Sequence, residues 1–323
     1  MIQRAQIPGI ILASSIGIFA LIATSFFSSL NAVMLALILG VVIANVFKLS
    51  SVFVPGFKVT ASRLLEFSIL FLAFGINYNH FLDLGVGRFL SIVALIGVVL
   101  LLTVYLARTF NCPGASVWLI GFGTAICGSS AIAALAPSVS RNQEDTGLAM
   151  AVVNLYGALG MMVMPWLFQY LPISHQDAGF IIGASLHSVA NVAGAAFSMD
   201  QAVGESALTI KLARVAMLSP GLILINWLLK RKESGNKGLW QLPWYMYGFI
   251  AITILVSLVP IPQPMLKGAE FLGKVSLTIA LAAVGLGIYL KSILTAGKRG
   301  LSFGFMIFAI QTLLILLILI VGL

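Results

Sequence analysis

The chain has little charge. Of its 323 residues, 8% are Asp, Glu, Lys or Arg and 60% are hydrophobic, whereas soluble domains carry roughly 25% charged residues. No single soluble core could hide so much apolar surface, so lipid is the expected solvent. Carboxylates are the scarcest charges, 9 against 18 Lys and Arg. Asp83, Glu144, Asp145, Asp177, Asp200, Glu205 and Glu233 fall in gaps or at helix ends, and Glu270 begins a span. Glu66 alone sits inside an apolar segment, three residues after Arg63. A carrier of metal cations or protons is expected to hold carboxylates at mid-membrane, so this scarcity favours an anionic or polar solute. Two cysteines, Cys112 and Cys127, supply neither a disulfide framework nor a zinc spacing. There is no GxSxG elbow, HExxH motif, P-loop or pair of intramembrane aspartates, so no enzyme, cofactor, metal centre or nucleotide-driven pump is expected. The net charge of +9 is not interleaved with aromatics, which leaves nucleic acid unsupported as a partner.

Long apolar runs are what the chain does have. A bilayer core takes about 20 apolar residues per helix. Eleven segments qualify: 8–26, 30–47, 62–79, 88–110, 114–138, 145–171, 178–199, 206–229, 243–261, 269–290 and 300–322. The first follows Arg4 as a signal peptide would, but it is as long as a full span and lacks a small-residue cleavage site, so it reads as a helix. The expected fold is all-α and polytopic, one transmembrane domain over 1–323 with a solvated loop at 230–238. Assigning gaps alternately to two sides puts Arg88, Arg141, Lys211, Arg214, Lys267 and Lys274 on one side and the other 12 of the 18 bases on the side of the N-terminus. The positive-inside rule then places the N-terminus in the cytoplasm and the C-terminus outside a cell (inner) membrane. Gly75–Gly85 and Gly287–Gly297 share Gly, Ile, Leu and Gly at equivalent places. They lie seven spans apart, as inverted repeats of a secondary transporter would.

Two segments carry unusual polarity. In GFGTAICGSSAIAALAP (121–137), small and hydroxylated residues concentrate at Cys127, Gly128, Ser129 and Ser130. A helix broken there frees backbone N–H groups at the start of its second half, a setting that attracts anions; close helix packing is the plainer reading. In GASLHSVANVAGAA (183–196), His187, Ser188 and Asn191 lie near mid-span, where polar side chains face a cavity or each other. On a continuous helix His187 and Asn191 would share a face. Lys211 and Arg214, three apart, lie one to two turns into the eighth span, and either attract an anion or snorkel to the interface.

These segments, the acidic turn Glu144-Asp145, a span ending in Met164-Pro165 and TIKLARVAMLSP (209–220) resemble the YeiH-like sulfate exporter family. LLEFSILFLAFGI (64–76) and LTIALAAVGLGI (277–288) are similar to it too. That family is grouped with bile-acid symporters and cation/proton antiporters. The resemblance implies inverted repeats, crossed broken helices and a site at the crossing. It also leads one to expect a glutamate after the histidine and a glutamine three later; Ser188 and Asn191 stand there instead, which puts family-type ion coupling in doubt. By the span count, 114–138 and 178–199 run the same way, whereas crossed half-helices of inverted repeats would run oppositely. A re-entrant 178–199 would level the basic tally to 9 and 9.

The function expected from this reading is secondary transport of a small anion, such as sulfate, another sulfur oxyanion or an organosulfonate, by alternating access. Gly128, Ser129 and Ser130 would face His187, Ser188 and Asn191, with Cys127 beside them and Lys211 and Arg214 concentrating the anion. The alternatives are a passive anion channel, or an intramembrane receptor or enzyme in which His187 and Cys127 form a nucleophile pair. The expected partners are the anionic solute and the lipid bilayer; a coupling proton or sodium ion and a homodimer are left open.

Overall fold

A computed structural model describes residues 4–26, 31–47, 49–75, 85–109, 115–140, 143–228, 244–288 and 298–321. These residues are helical almost throughout. Among the described residues five helices are long and apolar enough to cross a membrane: Arg4–Phe26, Gly87–Ala107, Glu144–Phe168, Gln263–Leu286 and Arg299–Val321. In the last of them Phe305, Leu313, Leu317 and Ile320 are all more than half exposed. An apolar outer face of that extent calls for lipid or another apolar surface against it.

The chain forms two compact units, one from Met1–Phe81, Ala193–Glu205 and Pro243–Leu290, the other from Leu82–Val192, Ser206–Leu242 and Lys291–Leu323. The helices are α1 (Ile7–Phe26), α2 (Ala32–Val46), α3 (Val54–Val59), α4 (Leu65–Leu72), α5 (Gly85–Thr109), α6 (Ser116–Ala125), α7 (Ser129–Val139) and α8 (Gln143–Phe168). They continue as α9 (His175–Ser185), α10 (Val189–Met199), α11 (Gln201–Ala216), α12 (Leu218–Leu228), α13 (Trp244–Leu258), α14 (Gln263–Leu286) and α15 (Lys298–Val321).

In the first unit α1, α2, α3 and α14 pack through small residues. A Cβ on Gly40 would lie 2.5 Å from the Ala282 carbonyl oxygen, and one on Gly285 would overlap that of Leu37, so α2 and α14 touch backbone to backbone. Close approach of this kind replaces the hydrophobic driving force that lipid removes. Ala13, Ile16, Ala36, Phe57, Ala282 and Leu286 fill the seam. A π-helical turn, Thr60–Leu64, joins α3 to α4.

The second unit holds α5 to α9, the first residues of α10, most of α11, α12 and α15. Several expected spans differ in detail. Segment 62–79 begins earlier, at Val54, where Pro55 suits a first turn. Segment 206–229 is interrupted at Met217, because Pro220 lacks the N–H that would bond Ala216. Segments 114–138 and 178–199 are each two helices joined by an unwound stretch. The repeat at 76–84 and 289–297, Cys112 and the loop 230–238 lie outside the described residues.

Candidate functional site

The first break lies between α6 and α7. Gly128 adopts φ +75°, a conformation that costs an L side chain energy and glycine little. Its N–H donates to Gly123 O at 2.8 Å, and α7 starts at Ser129 with no side chain capping it. The first helical bond of α7 runs from Ile132 N to Gly128 O, so the N–H groups of Ser129, Ser130 and Ala131 precede any intrahelical bond.

The second break, between α9 and α10, has no glycine or proline. Leu186 is extended, with φ −68° and ψ 148°. The Ser188 hydroxyl accepts from Asn191 N at 3.1 Å and so caps α10. The two breaks touch, since a Cβ on Gly128 would lie 3.3 Å from the carbonyl of His187.

What keeps α9 from continuing is a set of donors on its last carbonyls. The Lys211 ammonium donates to Ile126 O (2.8 Å), Leu186 O (2.8 Å) and His187 O (2.6 Å), which uses all three of its protons. Arg214 Nη1 donates to Gly183 O (3.3 Å), Leu186 O (3.4 Å) and Ala184 O. Its Nη2 donates to Thr124 O and Ala125 O, both at 2.8 Å. Gln311 on α15 donates from Nε2 to Ala184 O (3.1 Å) and Ser185 O (2.9 Å). Three side chains therefore satisfy the terminal carbonyls of both α6 and α9. Lys211, Arg214 and Gln311 are each 0% exposed, so neither cation snorkels.

The charge balance of this centre is uneven. Each helix C-terminus carries about half a negative charge, so the two ends supply about one against two buried cations. The salt bridges among the described residues are Arg63–Glu66 and Arg88–Asp177, and neither involves Lys211 or Arg214. The positive surplus has no carboxylate partner among the described residues. The N-termini of α7 and α10 start at the same place and add to it.

On the side of those N-termini, the Ser129 hydroxyl donates to Asn154 Oδ1 on α8 at 2.7 Å, and Cys127 Sγ lies 2.9 Å from Ser130 Oγ. Ser130 and Asn154 are exposed, Ser129 and Ser188 half-buried. Asn191 is buried against α8, where a Cβ on Gly157 would overlap its amide nitrogen. His187 is buried, its Nε2 3.3 Å from Thr124 Oγ1 and its ring 5.0 Å from that of Phe308, with Nδ1 unbonded. His187 and Cys127 thus have separate hydrogen-bond partners and form no nucleophile pair in this structure. His187 lies in the unwound stretch, so it does not share a helical face with Asn191.

All nine residues singled out in the sequence lie in the second unit, at or beside the two breaks. Gly128, Ser129, Ser130, Ser188 and Asn191 edge the helix starts. Lys211 and Arg214 sit behind them on the carbonyls. Sequence reasoning missed Asn154, Thr124, Phe308 and Gln311. The usable signal was a lone amide in the middle of an apolar span, Asn154 in α8 and Gln311 in α15, since such groups are costly in lipid and call for a partner. Among the described residues no group of three metal-ligating side chains comes together.

The family model described as Conserved hypothetical protein 698 matches residues 8–304. Similar proteins include the UPF0324 membrane protein of Bartonella henselae, 32% identical over 84% of this chain and 78% of that protein. The UPF0324 membrane protein of Pseudomonas aeruginosa is 30% identical over 94% of this chain and 90% of its own length. That of Wolinella succinogenes is 30% identical over 93% of each. No solved structure matches.

Proposed function

The chain belongs to the Conserved hypothetical protein 698 family of membrane proteins, and from that premise we propose that it is a secondary transporter of a small anion. The observation that carries the reading is the buried charge surplus: Lys211 and Arg214, both 0% exposed, meet carbonyls and no carboxylate among the described residues. An uncompensated buried charge is costly, and a bound anion removes that cost. The anion sits on the N–H groups at the start of α7, beside Ser129, Ser130 and Asn154, with Ser188 and Asn191 opposite. Lys211 and Arg214 act on it through their field and by holding the half-helices open, not by direct contact.

The finer reading follows the resemblance to YeiH-like sulfate exporters and the wider group of bile-acid symporters and cation/proton antiporters. The protein has eleven spans in inverted repeats and exposes the site to each side in turn. Its N-terminus is cytoplasmic and its C-terminus outside, in the cell membrane. It is not an enzyme and needs no cofactor. Its substrate is sulfate, another sulfur oxyanion or an organosulfonate, and the absence of a carboxylate at Ser188 argues against family-type coupling to a proton or sodium ion.

Proteoliposomes loaded with sulfate, sulfite, thiosulfate or an organosulfonate test this. The expected result is saturable uptake of one anion, accelerated by the same anion on the far side. Flux without that acceleration supports a passive channel, and no flux across the panel refutes both readings.

A further inference from the structure

The first unit carries a separate groove that the transport reading leaves unused. A cavity of about 580 Å³ is lined on one wall by Gln6, just before α1, and by Ile10 and Ser14 of α1, and on the other wall by Thr60, Arg63 and Phe67. That volume lies within the roughly 300–1,000 Å³ range of small-molecule sites. Its walls are mostly apolar, and Val59 and Leu64 add to them. Polarity is confined to a few groups, with one cation.

One wall of the groove contains the π-helical turn Thr60–Leu64. The extra residue in that turn swings the side chains after it, Phe67 among them, by about 100° relative to an unbroken α-helix; Arg63 lies within the turn, and both line the groove. Arg63 is 67% exposed, and its one ion pair among the described residues, to Glu66, is long at 3.7 Å. Glu66 is engaged elsewhere, accepting from Trp244 Nε1 at 2.8 Å. Most of the guanidinium fork is therefore available. Two further exposed cations flank lining residues in the sequence, Arg4 two before Gln6 and Lys58 one before Val59, and the start of α1 packs on Gly56.

An apolar slot with a cation on its wall fits an amphiphile that is apolar along its length and anionic at its head. In a membrane protein that occupant is at hand. We propose that this groove binds an anionic phospholipid, with one acyl chain along Ile10, Leu64 and Phe67 and the phosphate on Arg63, drawn there by Arg4 and Lys58. Basic pockets between membrane helices bind such head groups. A second copy of this chain fits less well, since it would bring the same cations against these.

Native mass spectrometry of the full chain, released from nanodiscs of equal phosphatidylglycerol and phosphatidylcholine, tests the proposal. The wild type should retain phosphatidylglycerol about fivefold over phosphatidylcholine, the worth of one basic side chain at an anionic surface. Arg63→Gln should abolish that preference, and it changes an exposed residue, so the fold is kept. Ile10→Trp, which fills the slot, should lower retention of both lipids. An exchange at an exposed base of the second unit, Arg299→Gln, should change neither. Equal retention of the two lipids by the wild type, or an unaltered preference in Arg63→Gln, overturns the proposal. So does a dimer whose contact protects the groove from lipid.

Discussion

Replacing Lys211 by methionine separates the charge of the centre from its shape. Methionine has nearly the same length and is apolar. The change removes three charged hydrogen bonds, to Ile126, Leu186 and His187, each worth about 1.5–3 kcal/mol. It also removes the cost of holding an ammonium in a site with 0% exposure, which is several kcal/mol. The two nearly offset, but Ile126 O and His187 O then lose that donor, at about 1–3 kcal/mol each, so the folded protein should be destabilised by about 2–6 kcal/mol. Anion binding does not share that compensation. The ammonium is 2.6 Å from His187 O, which packs on Gly128 at the start of α7. An anion on the N–H groups of Ser129 and Ser130 is thus within about 10 Å of it, and a unit charge there contributes about 1.7 kcal/mol at an effective dielectric of 20. The expected result is a 15- to 20-fold weaker Kd for the transported anion, measured by titration calorimetry on purified protein, with thermal unfolding confirming the fold. An unchanged Kd in a folded Lys211→Met protein would refute the charge-surplus argument.

Other substitutions test the geometry around that centre. Gly128→Ala should cost about 1–3 kcal/mol, because φ is +75° and the added Cβ meets His187; thermal unfolding reads it, and an unshifted Tm would show the break to be relaxed. Gly157→Ala should displace the Asn191 amide, which occupies the space the new Cβ needs. Weaker anion binding with a stability loss of about 1–3 kcal/mol is expected, and unaltered affinity removes Asn191 from the site. Gln311→Leu should be close to neutral, within about 1 kcal/mol. It orphans Ser185 O, since Ala184 O keeps Arg214, but it also deletes the buried, unpartnered Oε1. A large drop in Tm would show that the amide holds more than these carbonyls.

The helices were legible because lipid demands long apolar runs, and the unwound stretch at Gly128 was legible because glycine and serine gather there. The stretch at Leu186 was not. Leucine, histidine and serine carry no breaking signal, and α9 stops because Lys211, Arg214 and Gln311 take its carbonyls from positions far along the chain. A helix interrupted by tertiary donors leaves its mark in the donors' sequence, not its own. For the same reason the shared face of His187 and Asn191, which held only on a continuous helix, does not apply: i,i+4 spacing presupposes a helix that the donors remove. Met217 was missed for a simpler reason, since Pro220 marks that interruption.

Lys211 and Arg214 show how one spacing supports different chemistry. Three residues apart on a helix, they point the same way whether they snorkel, bind a ligand or stay buried. Hydropathy favours snorkelling, because it ignores what neighbouring helices offer. Here two broken helices offer eight terminal carbonyls, and burial of the cations becomes tolerable only with both breaks present. The dependence runs both ways, because without the cations those carbonyls would be unsatisfied in a medium with no water to bind them. The breaks and the cations therefore stabilise one another. The charge they leave over, about one positive unit by the dipole estimate, is what the proposed anion site at the starts of α7 and α10 draws on.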